Sequence, residues 1–213
     1  MREKCYRCYR PKESCMCLHV RPIQTRTKFV ILMHPKEYKK VKNGTGHLTH
    51  LSLPNSEIHI GIDFSSQTRV NELLDDEKNL CYLLYPSQDA IEINTHKLTC
   101  KENSEKNVVI FIIDSTWACA KKMMRLSPNI AALQAISFTH DTSSAFAIKE
   151  QPAAYCLSTI ESVLTVLKLM DKNGDEAIGQ SQFEQFLNPF LKMIEFQIEF
   201  MEACKAPRFV CIE

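Results

Sequence analysis

Val108-Val109-Ile110-Phe111-Ile112-Ile113 runs straight into Asp114-Ser115-Thr116-Trp117. Six consecutive apolar residues with no alternation describe a strand covered on both faces, the usual state of strands in a parallel sheet flanked by helices. The residues after Trp117, up to Leu126, carry a helical pattern that Ser127-Pro128 ends. A carboxylate and the chain's one tryptophan thus stand where a buried strand gives way to a helix. In open α/β sheets, ligands bind beyond the carboxyl ends of strands. Asp114 is therefore a candidate catalytic residue, although aspartate is also favoured as a helix cap.

The same grammar extends in both directions. Lys28–Met33, Glu57–Ile62 and Leu80–Tyr85 read as strands, and Ala135–Phe138 as a weaker one. Helical spacing marks Thr68–Asp75 and Ser158–Met170. Ser158 and Glu161 form an S-x-x-E capping box at the start of the second. A last helical stretch covers about Phe183 to Met201, interrupted near Asn188-Pro189. Strands alternating with helices predict an α/β fold with a mostly parallel sheet. No internal repeat or low-complexity linker divides the chain of 213 residues.

Composition is that of a globular protein with a core: 45% hydrophobic and 24% charged. No run is long and apolar enough to span a bilayer, and the start lacks the apolar core of a signal peptide, so the expected location is the cytoplasm. The net charge of +1 conceals an asymmetry. Residues 1–50 hold 12 Lys and Arg against 3 Asp and Glu, and the rest hold 14 against 22. A basic N-terminal quarter suits a polyanion such as nucleic acid, or simply a solvated surface.

Within that quarter, Cys5-x2-Cys8 and Cys15-x-Cys17 fall inside thirteen residues. Two close cysteine pairs joined by a short loop can wrap four thiolates around one ion. Zinc is redox-inert and suited to four sulfurs, so it is the default. The segment has few aliphatic residues with which to order itself, which weighs against free surface thiols. Four thiolates complete the shell, so His19 is a lesser candidate and the role is structural. The expected organisation is a zinc-binding segment over residues 1–25 and a catalytic body over 26–213.

Residues 171–182 imitate a calcium loop, with Asp171, Asn173, Asp175 and Ile178 in register. Glu176 stands where the sharp turn needs glycine, and Gln182 replaces the bidentate glutamate. A polar connection between helices is the better reading.

Taken in order, C-Y-R-C, C-M-C, H-P-K-E at His34–Glu37, N-G-T-G at Asn43–Gly46 and L-L-Y-P-S at Leu83–Ser87 precede D-S-T-W at 114–117. K-K-M at Lys121–Met123, I-K-E-Q-P at Ile148–Pro152 and L-S-T-I-E at Leu157–Glu161 follow it. This succession, from residue 5 to about 165, resembles the DTW-domain family. Ser115 departs from the family's usual Gly or Ala, and Lys149 from its frequent Arg, which would lose a bidentate fork.

The resemblance implies a fold akin to the knotted SPOUT-type methyltransferases. It also implies S-adenosylmethionine-dependent transfer of an aminocarboxypropyl group to N3 of a uridine in tRNA, with no protein partner or membrane evident. The scarcity of glycine agrees: the first strand leads to His34-Pro35-Lys36-Glu37 instead of a Rossmann glycine turn. On this reading Asp114 takes the uracil N3 proton or orients the base. Thr116 and Trp117 contact the cofactor, and Tyr85, Pro86 and Ser87 line its pocket. Ser158 and Thr159 at a helix start hold the cofactor carboxylate. Glu161 bonds its amino group or serves only the capping box. Lys36, Lys39, Lys40 and Lys42, and Lys121, Lys122 and Arg125 after the tryptophan, form phosphate tracks or solvated surface. The rival readings are a SPOUT-type RNA methyltransferase and a zinc-containing RNA binder without chemistry.

Overall fold

A computed structural model describes residues 3–39, 44–99, 103, 105–141, 143–146, 148 and 156–205. Six strands form one sheet: β1 (Lys28–Met33), β2 (Ser56–Ile60), β3 (Asn79–Leu84), β4 (Ile91–Glu92), β5 (Asn107–Asp114) and β6 (Gln134–Ser137). Their order is β2-β1-β5-β3-β6-β4, and every pairing is parallel. The sheet is the mostly parallel one that the unbroken apolar runs predict.

The centre of the sheet is β5, paired with β1 and β3. Its successive side chains go to opposite faces, as strand geometry requires. Ile110 and Ile112 join a core with Phe29, Leu48, Ile160, Leu167, Phe186 and Phe190. Val109 and Phe111 join the opposite core with Val30, Leu83, Val70, Met123 and Ile130. The first face is covered by α2 (Thr45–Ser52), α6 (Thr159–Asn173), α7 (Gln180–Phe186) and α8 (Asn188–Lys205). The second is covered by α3 (Thr68–Asp75), α4 (Trp117–Leu126) and α5 (Pro128–Ala131). Burying each such side chain contributes roughly 1.5–3 kcal/mol, so the run is apolar throughout because neither face meets water.

Three helices carry no pattern that announces them in the sequence: α1 (Pro35–Lys39), α2 and the four-residue α5. Two glycines precede or open α2, and it has little apolar periodicity. Packing supplies the difference, since Leu48 is fully buried and Thr49 bonds back to the Thr45 carbonyl at 2.9 Å. The two-residue β4 also went unread, being too short to carry a pattern. The tail from Gln180 divides at Leu187 into α7 and α8, beside the expected Asn188-Pro189 break.

The calcium-like loop is a fastener. Gly174 caps α6 in the left-handed region at φ 79°. Asp175 accepts from the N–H groups of Leu98 and Thr99 and from the Thr99 hydroxyl, and Glu176 accepts from the N–H groups of Arg26 and Thr27. Asp171 accepts from Ile178 N–H at 2.7 Å. Buried carboxylates need such donors, and here they tie α6 to the start of β1 and to the segment after β4.

Candidate functional site

Beyond the carboxyl ends of β3, β5 and β6 lies a cavity of about 670 Å3, a size that suits a cofactor or ligand. Asp114, the last residue of β5, is buried in its wall. Register places Asp114 beside Met33 of β1, and its carbonyl accepts from His34 N–H at 3.1 Å. The backbone is therefore fixed from the neighbouring strand, and the side chain is presented into the space beyond it.

The carboxylate is fixed as well. Oδ1 accepts from the Thr159 hydroxyl at 2.6 Å, which ties the strand end to the first residue of α6. Oδ2 lies against Gly46 of α2. A Cβ built on Gly46 would stand 2.3 Å from Oδ2 and 2.7 Å from the Met33 methyl. Only glycine lets α2 approach this closely. Asp114 is not the cap of α4, because Thr116 holds that position and accepts from Cys119 N–H at 3.5 Å. The two readings that the sequence left open thus separate: the hydroxyl caps and the carboxylate faces the cavity. Ser115 costs nothing in the turn, since Tyr9 is the one described non-glycine residue with positive φ.

Trp117 opens α4 at the cavity rim, 43% exposed, with its ring edge-on to Tyr85 at 6.2 Å between centroids. Pro86, Thr116, Ser158 and Thr159 also line the cavity, but Ser87 is not among its lining residues. Glu161 is fully engaged elsewhere. Its carboxylate accepts from Ser158 N–H and hydroxyl, Ser144 hydroxyl and Ala145 N–H. It closes the capping box and anchors the segment leading to Phe146, as the structural side of its double reading required.

The cavity also has walls that the sequence did not assign: Glu37, Gly44 and Thr45 on one side, and Ser137 to His140 with Phe146 on another. The scarcity of glycine was the available signal for the first group, since two of the five glycines lie in Asn43-Gly44-Thr45-Gly46. Lys36 and Lys39 on α1 are exposed, as are Lys121, Lys122 and Arg125 on α4. Trp117, Lys121 and Arg125 follow at four-residue steps and so share a helix face. Lys40, Lys42 and Lys149 lie outside the described residues. His34 and His47, on either side of the first group of lysines, are buried and belong to the interior.

The second centre is the cysteine segment. The four sulfurs of Cys5, Cys8, Cys15 and Cys17 lie within 4.8 Å of one another. Cys5 and Cys17 are 3.7 Å apart, as are Cys8 and Cys15. A zinc ion with sulfurs at about 2.3 Å demands tetrahedral edges of about 3.8 Å, so the donor set fits. Backbone N–H groups of Cys8 and Arg7 aim at the Cys5 sulfur and lower its thiol to about 6. Burial raises Cys15 and Cys17 instead, an effect that a coordinated cation would override. Arg10, 2% exposed, sits in the field of Cys8, Cys15 and Cys17 and donates to Met193 Sδ and the Gly44 carbonyl. Met16 and Ile23 belong to the main core. The segment is therefore seated on the body, and Gly44 is shared with the cavity wall.

The DTW domain matches residues 2–198. The chain is similar to tRNA-uridine aminocarboxypropyltransferase 2 of Mus musculus, 28% identical over 202 residues, with 93% of this chain and 64% of that protein covered. It is likewise similar to the protein of the same name in Drosophila melanogaster, 29% identical over 82% of this chain and 69% of that one. Against tRNA-uridine aminocarboxypropyltransferase A of Arabidopsis thaliana, identity is 27% over 96% and 84%. The chain thus spans about two thirds or less of the mouse protein's length. No solved structure matches. The ordered motifs and the match over nearly all the chain lead to one conclusion: this chain belongs to the DTW domain family.

Proposed function

We propose that this chain is a tRNA-uridine aminocarboxypropyltransferase, moving the 3-amino-3-carboxypropyl group of S-adenosylmethionine to N3 of a uridine in tRNA. The observation that carries the reading is the Asp114 carboxylate, buried in the cavity wall and held by Thr159 and Gly46. The names of the mouse, fly and plant relatives support it.

S-adenosylmethionine supplies an electrophilic carbon on its sulfonium; the rest falls to the protein. N3 of uracil carries a proton that must leave, and Asp114 is the group placed to accept it or to orient the base. The Thr159 hydroxyl keeps one carboxylate oxygen directed, so the acceptor geometry is set before substrate arrives. Trp117 and Tyr85 offer ring faces at the rim for a base or the sulfonium. Ser158 and Thr159 bring the start of α6 to the cavity, where its N–H groups suit a carboxylate. Lys36, Lys39, Lys121, Lys122 and Arg125 act on phosphates. Residues 1–25 act as a zinc-bearing appendage to the catalytic body over 26–213, and the kinship with knotted SPOUT enzymes and a cytoplasmic location complete the reading.

The test is direct. Purified protein is incubated with S-adenosylmethionine and unmodified tRNA, and the digested nucleosides are weighed by mass spectrometry. A uridine heavier by one aminocarboxypropyl group is expected. A nucleoside heavier by one methyl group would overturn the transfer chemistry in favour of a methyltransferase. No change with tRNA would overturn the substrate.

A further inference from the structure

We infer that the cysteine segment is an RNA-docking module whose tip, Tyr6 with Arg7, stacks on an unpaired base of the substrate strand. The inference rests on the reading of RNA as substrate but assigns a contact that the reaction does not require.

Tyr6 lies between Cys5 and Cys8 and is 93% exposed, the most exposed large hydrophobic side chain among the described residues. The loop beneath it is tightly closed: Cys5 N–H donates to the Arg10 carbonyl and Tyr9 N–H to the Cys5 carbonyl, both at 2.8 Å. A loop held by its own backbone bonds and by four sulfurs around an ion has no need to bury Tyr6. It therefore presents a ring on a rigid mount. Lys4 and Arg7, two residues before it and one after, are both exposed. An aromatic face beside cations on a fixed loop is the combination that captures unpaired bases of RNA, with stacking and phosphate attraction acting together.

A second feature points the same way. Tyr9 sits at φ 58°, in the left-handed region that favours glycine. A tyrosine there costs about 1 kcal/mol or more, so this loop carries an aromatic ring where an unstrained glycine would serve the turn. The ring is not wasted. It meets His47 at 5.8 Å between centroids, and His47 meets Tyr38 at 5.2 Å. Tyr38 follows Glu37, and His47 lies three residues after Gly44 and two after Thr45; Glu37, Gly44 and Thr45 line the cavity. Tyr9, His47 and Tyr38 thus join the segment to α1 and α2, two elements that border the cavity.

The experiment uses the full zinc-loaded chain and an unmodified tRNA transcript, without S-adenosylmethionine, at fixed salt. Tyr6→Ala is expected to raise the Kd about tenfold, and Tyr6→Phe to stay within about twofold of wild type, as ring stacking predicts. Zinc content and thermal melting should match wild type, because Tyr6 packs against nothing. Ultraviolet crosslinking followed by peptide mapping should place RNA on the peptide holding Tyr6. Unchanged affinity in Tyr6→Ala, or crosslinks confined to α4, would overturn the inference; the exposed ring would then serve a protein partner. The two readings fail separately. A chain that binds tRNA through Tyr6 but yields no heavier uridine sinks the proposed reaction alone.

Discussion

The cysteine segment and the strand end at Asp114 are both centres of chemistry, yet they are ordered by opposite means. Residues 4–19 contain two short 3-10 turns, an isolated bridge from Lys4 to Pro11 and four sulfurs gathered within 4.8 Å of one another. Asp114 ends a strand buried on both faces and is met by α2 and α6. The first region gathers four sulfurs that could hold one ion; the second is held by close packing. Ion-held structure can leave aromatic rings in water. Packed structure can hold a carboxylate to within tenths of an ångström but tolerates no added atom. Perturbations should therefore act differently on the two.

The largest expected effect is on the ion-held side. Cys8→Ser removes a buried sulfur from a site whose metal affinity, by analogy with zinc-finger peptides, is roughly 10–16 kcal/mol. Zinc content by mass spectrometry should fall from one ion per chain toward none. Amide exchange should accelerate over residues 3–20 while β1, β3 and β5 stay protected. If the sheet opened together with the segment, the two regions would be one cooperative unit and the contrast would be lost. A chelator should reproduce the result in wild type.

Asp114→Asn makes the reciprocal test. It keeps the shape and the Thr159 contact but removes the proton acceptor. Turnover should fall by about 100- to 10,000-fold, the usual range for a general base. The Kd for tRNA, the melting temperature and the zinc content should stay as in wild type. If tRNA affinity collapsed with turnover, Asp114 would be a binding residue and its catalytic role would fail.

Gly46→Ala asks how tight the packed side is. Its Cβ would lie 2.3 Å from Asp114 Oδ2, so either the carboxylate or α2 must shift. A stability loss of about 1–3 kcal/mol is expected from overpacking, readable as a lower denaturant midpoint. Turnover should drop with the tRNA Kd unchanged, because displacement of a catalytic group by about 1 Å can cost a hundredfold. A variant with wild-type turnover would show that Asp114 need not sit where Gly46 lets it sit.

The same contrast explains what was legible in the sequence. β1, α3 and α4 match their expected bounds, and Ser158 caps α6 through the capping box that its spacing with Glu161 announced. Those signals are local, written within a dozen residues. The cysteine centre was legible for the same reason, since its ligands span thirteen positions. The geometry at Asp114 was not. Thr159 lies 45 positions away from it, and Gly46 lies further still in the other direction. Thr159 lines the cavity as expected of a cofactor contact, and its hydroxyl also donates to Asp114, a bond that no local spacing announces. α2 carries no apolar periodicity to announce it, because its helix forms by burial.

The smallest expected effect lies at the seam between the regions, where His47 of α2 meets Tyr9 of the cysteine segment. Burial holds the His47 pKa below its ordinary 6.5; the nearby Arg10 charge acts the same way, and a bond to the Tyr38 backbone opposes both. Nε2 is buried with no hydrogen-bond partner among the described residues, so an added proton there would meet neither water nor an acceptor. An unfolded chain takes that proton near 6.5, and the folded chain only at lower pH. Stability from this residue is therefore present above about 6.5 and lost as pH falls below it. Denaturant midpoints at pH 7.5 and 5.5 should fall further for wild type than for His47→Gln, which has nothing to titrate. Amide exchange at pH 5.5 should quicken first in α2. Equal pH dependence in the two proteins would show that His47 contributes no titrating penalty, and would leave ring contact as its whole part in joining the ion-held region to the packed one.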